Sequence, residues 1–376
     1  MNARSVAILI VLLVVLGGGA LLVQQQQSGR EAANLATLGQ PVLKDLKAAE
    51  VTALRIEAPG GTLSIAQNND RWTIAERNDF PASLDELRTF VLKAIDLKVG
   101  QSEPIGEQDR ARIALNESGE GAGTLVIFGG ADGKALARLI VGKKYFKQQP
   151  DDPKQATADG RFVMRPADPK TVLIVSDPLE QVTTRTAGWI DTRGLAAEGV
   201  KTLEAQLADC SHWKIARAHD DADWTLEGEI PDGQQVAVTK GNAASYSMSL
   251  LEIADVAPPG ITPAETGLDK PSIVTATTFD GLTYTLKIGK LVDGKHYVAA
   301  TIDGEPVKTR TPVPDENAKV KARRDKEHAE RLANLAERLP REKALTAHVL
   351  LIDKIKLDDV LQKRSIFLEK KKEEKR

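Results

Sequence analysis

Cysteine is almost missing from this chain, because Cys210 is the single one among 376 residues. One thiol cannot form an intrachain disulfide, and it excludes a structural zinc site built on several thiolates. Histidine is also scarce, and none of the five histidines has the spacing of a metal-binding motif. We therefore expect no metal or cofactor, and we expect Cys210 to be a small buried residue.

Strong net charge is missing too. The sequence has 51 lysine and arginine residues against 53 aspartate and glutamate residues, a formal net charge of −2. This balance gives no electrostatic argument for nucleic acid as a partner, and we expect none. Charged residues make up 28% of the chain and hydrophobic residues 41%, which is typical of a globular protein.

Catalytic motifs are absent as well. The sequence contains neither the G-x-S-x-G turn of serine hydrolases nor the H-E-x-x-H motif of zinc proteases. Residues Gly129–Lys134 imitate a phosphate-binding loop, but no serine or threonine follows the lysine, so we interpret them as a turn. The expectation is a protein that is not an enzyme.

One long apolar run is present, from Ser5 to Val23. Its nineteen residues would span about 28 Å as a helix, close to the thickness of a bilayer core. Because Arg4 precedes it, we predict a cytoplasmic N-terminus at 1–4 and a retained transmembrane signal anchor at 5–23. The bulk of the chain would then lie on the periplasmic side of a bacterial inner membrane. A cleaved signal peptide is the alternative.

After a predicted linker at 24–50, the sequence consists of two similar segments. We predict a first α+β repeat at 51–191 and a second at 200–368. Three pairs of motifs recur in the same order: Val51-x-x-Leu54 with Val200-x-x-Leu203, Trp72-Thr-Ile with Trp224-Thr-Leu, and Leu139-x-Val-Gly142-Lys143 with Leu286-x-Ile-Gly289-Lys290. Ordered agreement of several motifs indicates an internal duplication.

Each repeat is predicted to be strand-rich, mostly antiparallel and to contain one main helix. The helices are expected at Ser83–Asp96 and Ala243–Asp255, where Asp96 is aligned with Asp255. Trp72 and Trp224 occupy equivalent strand positions, so we expect both to be buried equally in the cores of their repeats.

A charged helical insertion is predicted at 315–339, ended by Pro340. A helix this polar is typical of a solvated arm that packs by one narrow apolar stripe, here Leu332, Leu335 and Leu339. The sharper interpretation is that this stripe is a contact for a partner. The helix is expected to be dispensable for folding. The last residues, 369–376, form a charged tail.

The anchor, the Val51 opening, the Trp72 strand and the Gly-Lys hairpin ends together resemble a bacterial family, the domain-of-unknown-function family 4340. Proteins of this family are typically encoded beside gliding-motility-type ABC transporter components. The resemblance implies an accessory role at the cytoplasmic membrane, with permease or auxiliary subunits as partners. It transfers no catalytic residues.

The leading hypothesis is therefore a non-enzymatic, membrane-anchored periplasmic accessory protein of an ABC-type export or envelope system. A periplasmic glycan- or peptidoglycan-binding module is one alternative, with tryptophan and tyrosine side chains lining a groove between the repeats. An envelope hydrolase with an unrecognised pair of carboxylates is the other.

Overall fold

The computed structural model describes residues 37–69, 71–148, 156–310, 312 and 316–371. The predicted anchor at 5–23 lies outside these residues. Among the helices that are described, none combines the length and the apolar character needed to cross a bilayer. The chain divides into two compact units. Unit 1 comprises Ala82–Trp189 and the described residues up to Ala75, and unit 2 comprises Glu76–Pro81 and Ile190 onward.

The first half of the chain forms nine strands and two α-helices within the described residues. The strands are β1 (Ala53–Ala58), β2 (Gly61–Asn68), β3 (Arg71–Ile74), β4 (Phe80–Pro81), β5 (Gln101–Pro104), β6 (Thr124–Gly129), β7 (Ala135–Tyr145), β8 (Gly160–Met164) and β9 (Thr171–Val175). The helices are α1 (Leu84–Ile95) and α2 (Glu107–Arg112), with 3-10 turns at Ala48–Glu50, Ala75–Arg77 and Thr186–Gly188. Within unit 1 the strands lie in the order β3-β2-β1-β6-β7-β8-β9-β5, and neighbours are antiparallel.

The second half repeats this pattern in unit 2. The strands are β10 (Val200–Gln206), β11 (His212–Ala216), β12 (Thr225–Leu226), β13 (Gln234–Val236), β14 (Asp255–Val256), β15 (Ser272–Thr278), β16 (Leu282–Val292), β17 (Lys295–Gly304), β18 (Leu350–Asp353) and β19 (Leu368–Lys370). The helices are α3 (Val238–Ser249), α4 (Pro263–Thr266), α5 (Ala318–Leu345) and α6 (Lys354–Leu357), with a 3-10 turn at Arg364–Phe367. The main sheet has the order β12-β11-β10-β15-β16-β17-β18-β14, and β13 pairs with β19 separately.

The two strand orders are the same once β10 is matched with β1. The registers agree as well: Leu54 faces Ile65 across β1 and β2, and Leu203 faces Ile215 across β10 and β11. All four of these side chains are buried, as the alternation of apolar and polar residues predicts for a sheet with one covered face. The predicted class of mixed, strand-rich antiparallel units with few helices is confirmed.

The Gly-Lys motif has a structural reason in each unit. A Cβ atom on Gly142 in β7 would lie 2.5 Å from the carbonyl oxygen of Ile113, just after α2. A Cβ atom on Gly289 in β16 would lie 2.2 Å from the carbonyl oxygen of Thr266, the last residue of α4. Glycine therefore lets the strand pass directly against the end of the short helix.

The main helix of unit 2 differs from the prediction. It runs from Val238 to Ser249, whereas Asp255 begins β14. Its buried face consists of Gly241, Ala244 and Met248, which are small or flexible residues that give a weak sequence signal. Pairing shows that Gln101, not Asp96, is equivalent to Asp255, because they face Ile174 and Leu351 at matching positions of β9 and β18.

Helix α5 packs into unit 2, so the interpretation of its leucine stripe as a contact for a partner was wrong. That the helix is dispensable for folding stays a prediction. Leu335 and Leu339 are buried in the described structure, while Leu332 is half-buried. A stripe that is already covered by its own unit is not open to a partner. Pro340 does not end the helix: it and Ala336 lie on the exposed face, where solvent can reach the carbonyl that loses its hydrogen bond.

Charged groups also attach α5 to its unit. Arg324 reaches the carboxylate of Asp221 at 2.7 Å, and Arg331 lies 3.7 Å from Asp220. His328 is buried, and its Nε2 lies 3.1 Å from the carbonyl oxygen of Val307.

Cys210 departs from its prediction, because it is exposed. It occupies the turn between β10 and β11 with a positive φ of 66°, and its N–H donates to the carbonyl of Leu207. The turn directs this residue to the surface.

Candidate functional site: paired clefts beside the main helices

An apolar cleft, called cleft 1 here, opens beside α1 in unit 1 and has a volume of about 320 Å³. Its lining consists of small, aliphatic and aromatic side chains and one arginine: Ala48, Ala49, Val51, Trp72, Leu84, Leu87, Arg88 and Val91. The wall of α1 follows from its sequence, since residues three or four apart share one face of a helix.

Cleft 1 is open to solvent because two apolar side chains at its rim are partly exposed. Leu87 and Val91 are buried at its floor, but Leu84 at the start of α1 is 48% exposed. The indole of Trp72 is only half-buried. The Ser83 hydroxyl caps the helix by accepting the N–H of Glu86 at 3.3 Å, which fixes Leu84 at the rim. A concave and mostly apolar lining of this kind is typical of a binding site.

A second cleft, called cleft 2, lies beside α3 in unit 2 and measures about 330 Å³. It is lined mostly by polar side chains: Ala197, Glu198, Gly199, Arg217, Asn242, Ser245, Tyr246 and Ser249.

The two clefts occupy equivalent places in their units. The N–H of Ser83 donates to the carbonyl of Trp189 at 2.7 Å, and the N–H of Ala237 donates to Phe367 at 2.9 Å. Ser83 and Ala237 are the residues before α1 and α3, so the two helices begin in the same structural setting. Counting from these caps, Gly241 corresponds to Leu87, Asn242 to Arg88 and Ser245 to Val91.

This correspondence explains why the two tryptophans differ. Trp224 is buried, with 3% of its surface exposed, whereas Trp72 is half-buried, so the prediction of equal burial was wrong. A Cβ atom on Gly241 would lie 2.5 Å from Cδ1 of Trp224, so only glycine lets the indole lie against α3. At the equivalent position of unit 1, Leu87 carries a full side chain that lines cleft 1 together with Trp72.

Polar contacts hold Trp224 in place. Its Nε1–H donates to Oδ1 of Asn242 at 2.9 Å, and the guanidinium of Arg217 lies 4.7 Å from the ring centroid. Burial lowers the pKa of Arg217, although Asp220 and Asp221 oppose this shift. Neither tryptophan could be assigned an environment from the sequence alone, since the decisive residues lie on the helix.

A buried polar group lies elsewhere in unit 2. The hydroxyl of Tyr284 in β16 donates to Oε2 of Glu342 in α5 at 3.0 Å, and Arg338 Nε lies 3.6 Å from Oε1. Burial raises the pKa of both Tyr284 and Glu342. These side chains join a helix to a strand and line neither cleft.

Titratable residues elsewhere give no metal site: within the described ranges, no group of three or more histidine, cysteine, aspartate and glutamate side chains is placed to hold a metal ion.

Comparison with known protein families identifies the family of this chain. The family model described as domain of unknown function (DUF4340) matches residues 72–271. The chain belongs to the DUF4340 family. The matched DUF4340 region begins at Trp72 in cleft 1 and includes α3 of cleft 2. No curated protein and no solved structure gives a significant match.

Proposed function

We propose that this protein is a non-enzymatic accessory protein of an ABC-type export or envelope system, tethered to the bacterial cytoplasmic membrane through residues 5–23. Units 1 and 2 would act on the periplasmic side. The observation that carries the proposal is the open apolar cleft 1, which offers a contact surface for a protein partner.

The occupant of cleft 1 in this proposal is an amphipathic helix of a membrane-protein partner. Aliphatic side chains on such a helix would cover Leu84 and the half-buried indole of Trp72. A small polar ligand would leave both of these apolar groups exposed to water. Arg88 is the charged residue of the lining and is itself exposed. A carboxylate at the edge of the partner helix would complement it.

The equal strand orders and registers of the two units support a duplication as their origin. In this proposal one unit kept or gained an apolar surface, while the other covered its tryptophan.

The substitution Leu84→Glu tests the role of cleft 1. It places a carboxylate at the rim of the cleft, and the fold should tolerate it because an acidic residue in the first turn of a helix is favourable. We expect the full chain carrying this substitution to lose ABC transporter permease or auxiliary subunits that copurify with the parent from detergent-solubilised membranes.

A photo-crosslinker at exposed Leu92, one turn from Arg88, should form an adduct with the same subunit in the parent.

Leu136→Glu is the matched control, since Leu136 is an exposed leucine of unit 1 that does not line cleft 1. It should retain the partner. Equal retention by Leu84→Glu and Leu136→Glu, or crosslinks only to unrelated proteins, would overturn the proposal.

A further inference from the structure

We propose that cleft 2 is a binding site for a neutral saccharide of one or two rings. This inference rests on unit 2 alone and is independent of the partner proposed for cleft 1. The volume of about 330 Å³ is within the lower range of small-molecule sites.

An exposed aromatic ring forms one wall of cleft 2. Tyr246 is 69% exposed, although it belongs to a helix whose other large apolar residue, Met248, is fully buried. A tyrosine ring presents an apolar face and a hydroxyl that can both donate and accept. The C–H face of a sugar ring can pack on such a surface.

Polar groups surround this ring. Asn242 uses its Oδ1 to accept from Trp224, which leaves its amide N–H groups for a ligand in the cleft. Ser245 contributes a hydroxyl from a half-buried position. The Ser249 hydroxyl donates to the carbonyl of Tyr246 at 2.7 Å, and its oxygen lone pairs can still accept. Amide and hydroxyl groups of this kind match the hydroxyls of a sugar.

The charges at cleft 2 already have partners of opposite sign, and this favours a neutral ligand. Nη2 of Arg217 lies 3.7 Å from Oδ1 of Asp220, while its Nε and Nη1 donate to the carbonyls of Val200 and Asp220. Glu198 forms an ion pair with Arg338 at 3.0 Å. A phosphate or carboxylate ligand would therefore find no cation without a partner among the lining residues.

The comparison of the two clefts strengthens the argument. Positions that are aliphatic or charged in unit 1 carry hydroxyl, amide or aromatic groups in unit 2: Val91 corresponds to Ser245, Leu92 to Tyr246 and Arg88 to Asn242. The same place in the fold thus has a different chemical character, which points to ligands of different classes.

The test is calorimetric titration of the full chain in detergent micelles with glucose, cellobiose and N,N′-diacetylchitobiose at up to about 10 mM, a range that covers weak site affinities. We expect at least one of them to bind. Tyr246→Ala should weaken that binding by about tenfold, because the stacking surface is lost. Tyr246→Phe should keep most of it, since the ring remains.

Leu92→Ala is the control at the equivalent position of unit 1 and should bind the saccharide as the parent does. Inorganic phosphate should not bind at cleft 2. The inference fails if none of the three saccharides binds, if Tyr246→Ala binds them as tightly as the parent, or if phosphate competes with them. Each of these outcomes leaves the Leu84→Glu experiment on cleft 1 unaffected.

Discussion

At a single position of the main helices, leucine in unit 1 and glycine in unit 2 create different surroundings for Trp72 and Trp224. Leu87 occupies the floor of cleft 1, so the Trp72 indole remains at the rim. Gly241 leaves room for the Trp224 indole, which Asn242 and Arg217 then hold. One side chain on a helix thus determines whether an aromatic residue of the neighbouring strand is part of the core.

Alanine substitutions should reveal this difference in stability. Trp224→Ala removes a fully packed indole and should lower the free energy of unfolding by about 3–5 kcal/mol. Trp72→Ala removes a half-exposed indole and should cost roughly half as much. Denaturant unfolding of the full chain in micelles, followed by circular dichroism, measures both. Equal losses would mean that the two residues are equally buried.

Only some of the features of individual residues could be predicted from the sequence. The matching of Trp72 with Trp224 could be predicted, because both precede threonine and an aliphatic residue. Their different burial could not, since it depends on how α1 and α3 align with the strands. That alignment was hidden because α3 buries glycine, alanine and methionine rather than a clear apolar stripe.

Among the elements, helix α5 was the most misleading. Dense charge suggested a solvated arm, but the charged residues include the ones that attach it: Arg324, Arg331 and the buried Glu342. Strands and hairpins were easier to predict, because their alternating pattern repeats in both units. A deletion of α5 would uncover Tyr284 and the apolar positions that Leu335 and Leu339 now cover.

Glu342 predicts how the attachment of α5 depends on pH. Because burial raises its pKa in the folded protein, the folded state holds this proton more tightly than the unfolded chain. Stability should therefore fall as pH rises from the ordinary glutamate range through the raised value. Glu342→Gln keeps an oxygen acceptor for Tyr284 and cannot ionise, so it should be more stable than the parent above that window.

Urea unfolding midpoints between about pH 4 and pH 8 measure this effect, within the range where glutamates titrate. Glu337→Gln, at an exposed position of the same helix, is the control and should follow the parent. If Glu342→Gln also follows the parent at every pH, the carboxyl of Glu342 ionises as freely in the folded protein as in the unfolded chain.

For the whole molecule, topology is the property that the N-terminal sequence predicts most directly. With Arg4 inside and residues 5–23 retained, a reporter that is active only in the periplasm should be active when fused after Arg376. The full chain should also stay in the membrane fraction after an alkaline carbonate wash. Recovery of a shortened protein that begins near Leu21 would instead identify a cleaved signal peptide.

The assignment of Glu76–Pro81 to unit 2 has a consequence for biosynthesis. Phe80 is fully buried, and its ring packs edge-on against His348 at 5.1 Å, yet His348 follows it by about 270 residues. At a translation rate of roughly 5–20 residues per second, Phe80 emerges from the ribosome roughly 15–50 s before its partner. The apolar side chain of Phe80 therefore stays exposed to solvent, or bound to a chaperone, until the last part of unit 2 has been synthesised.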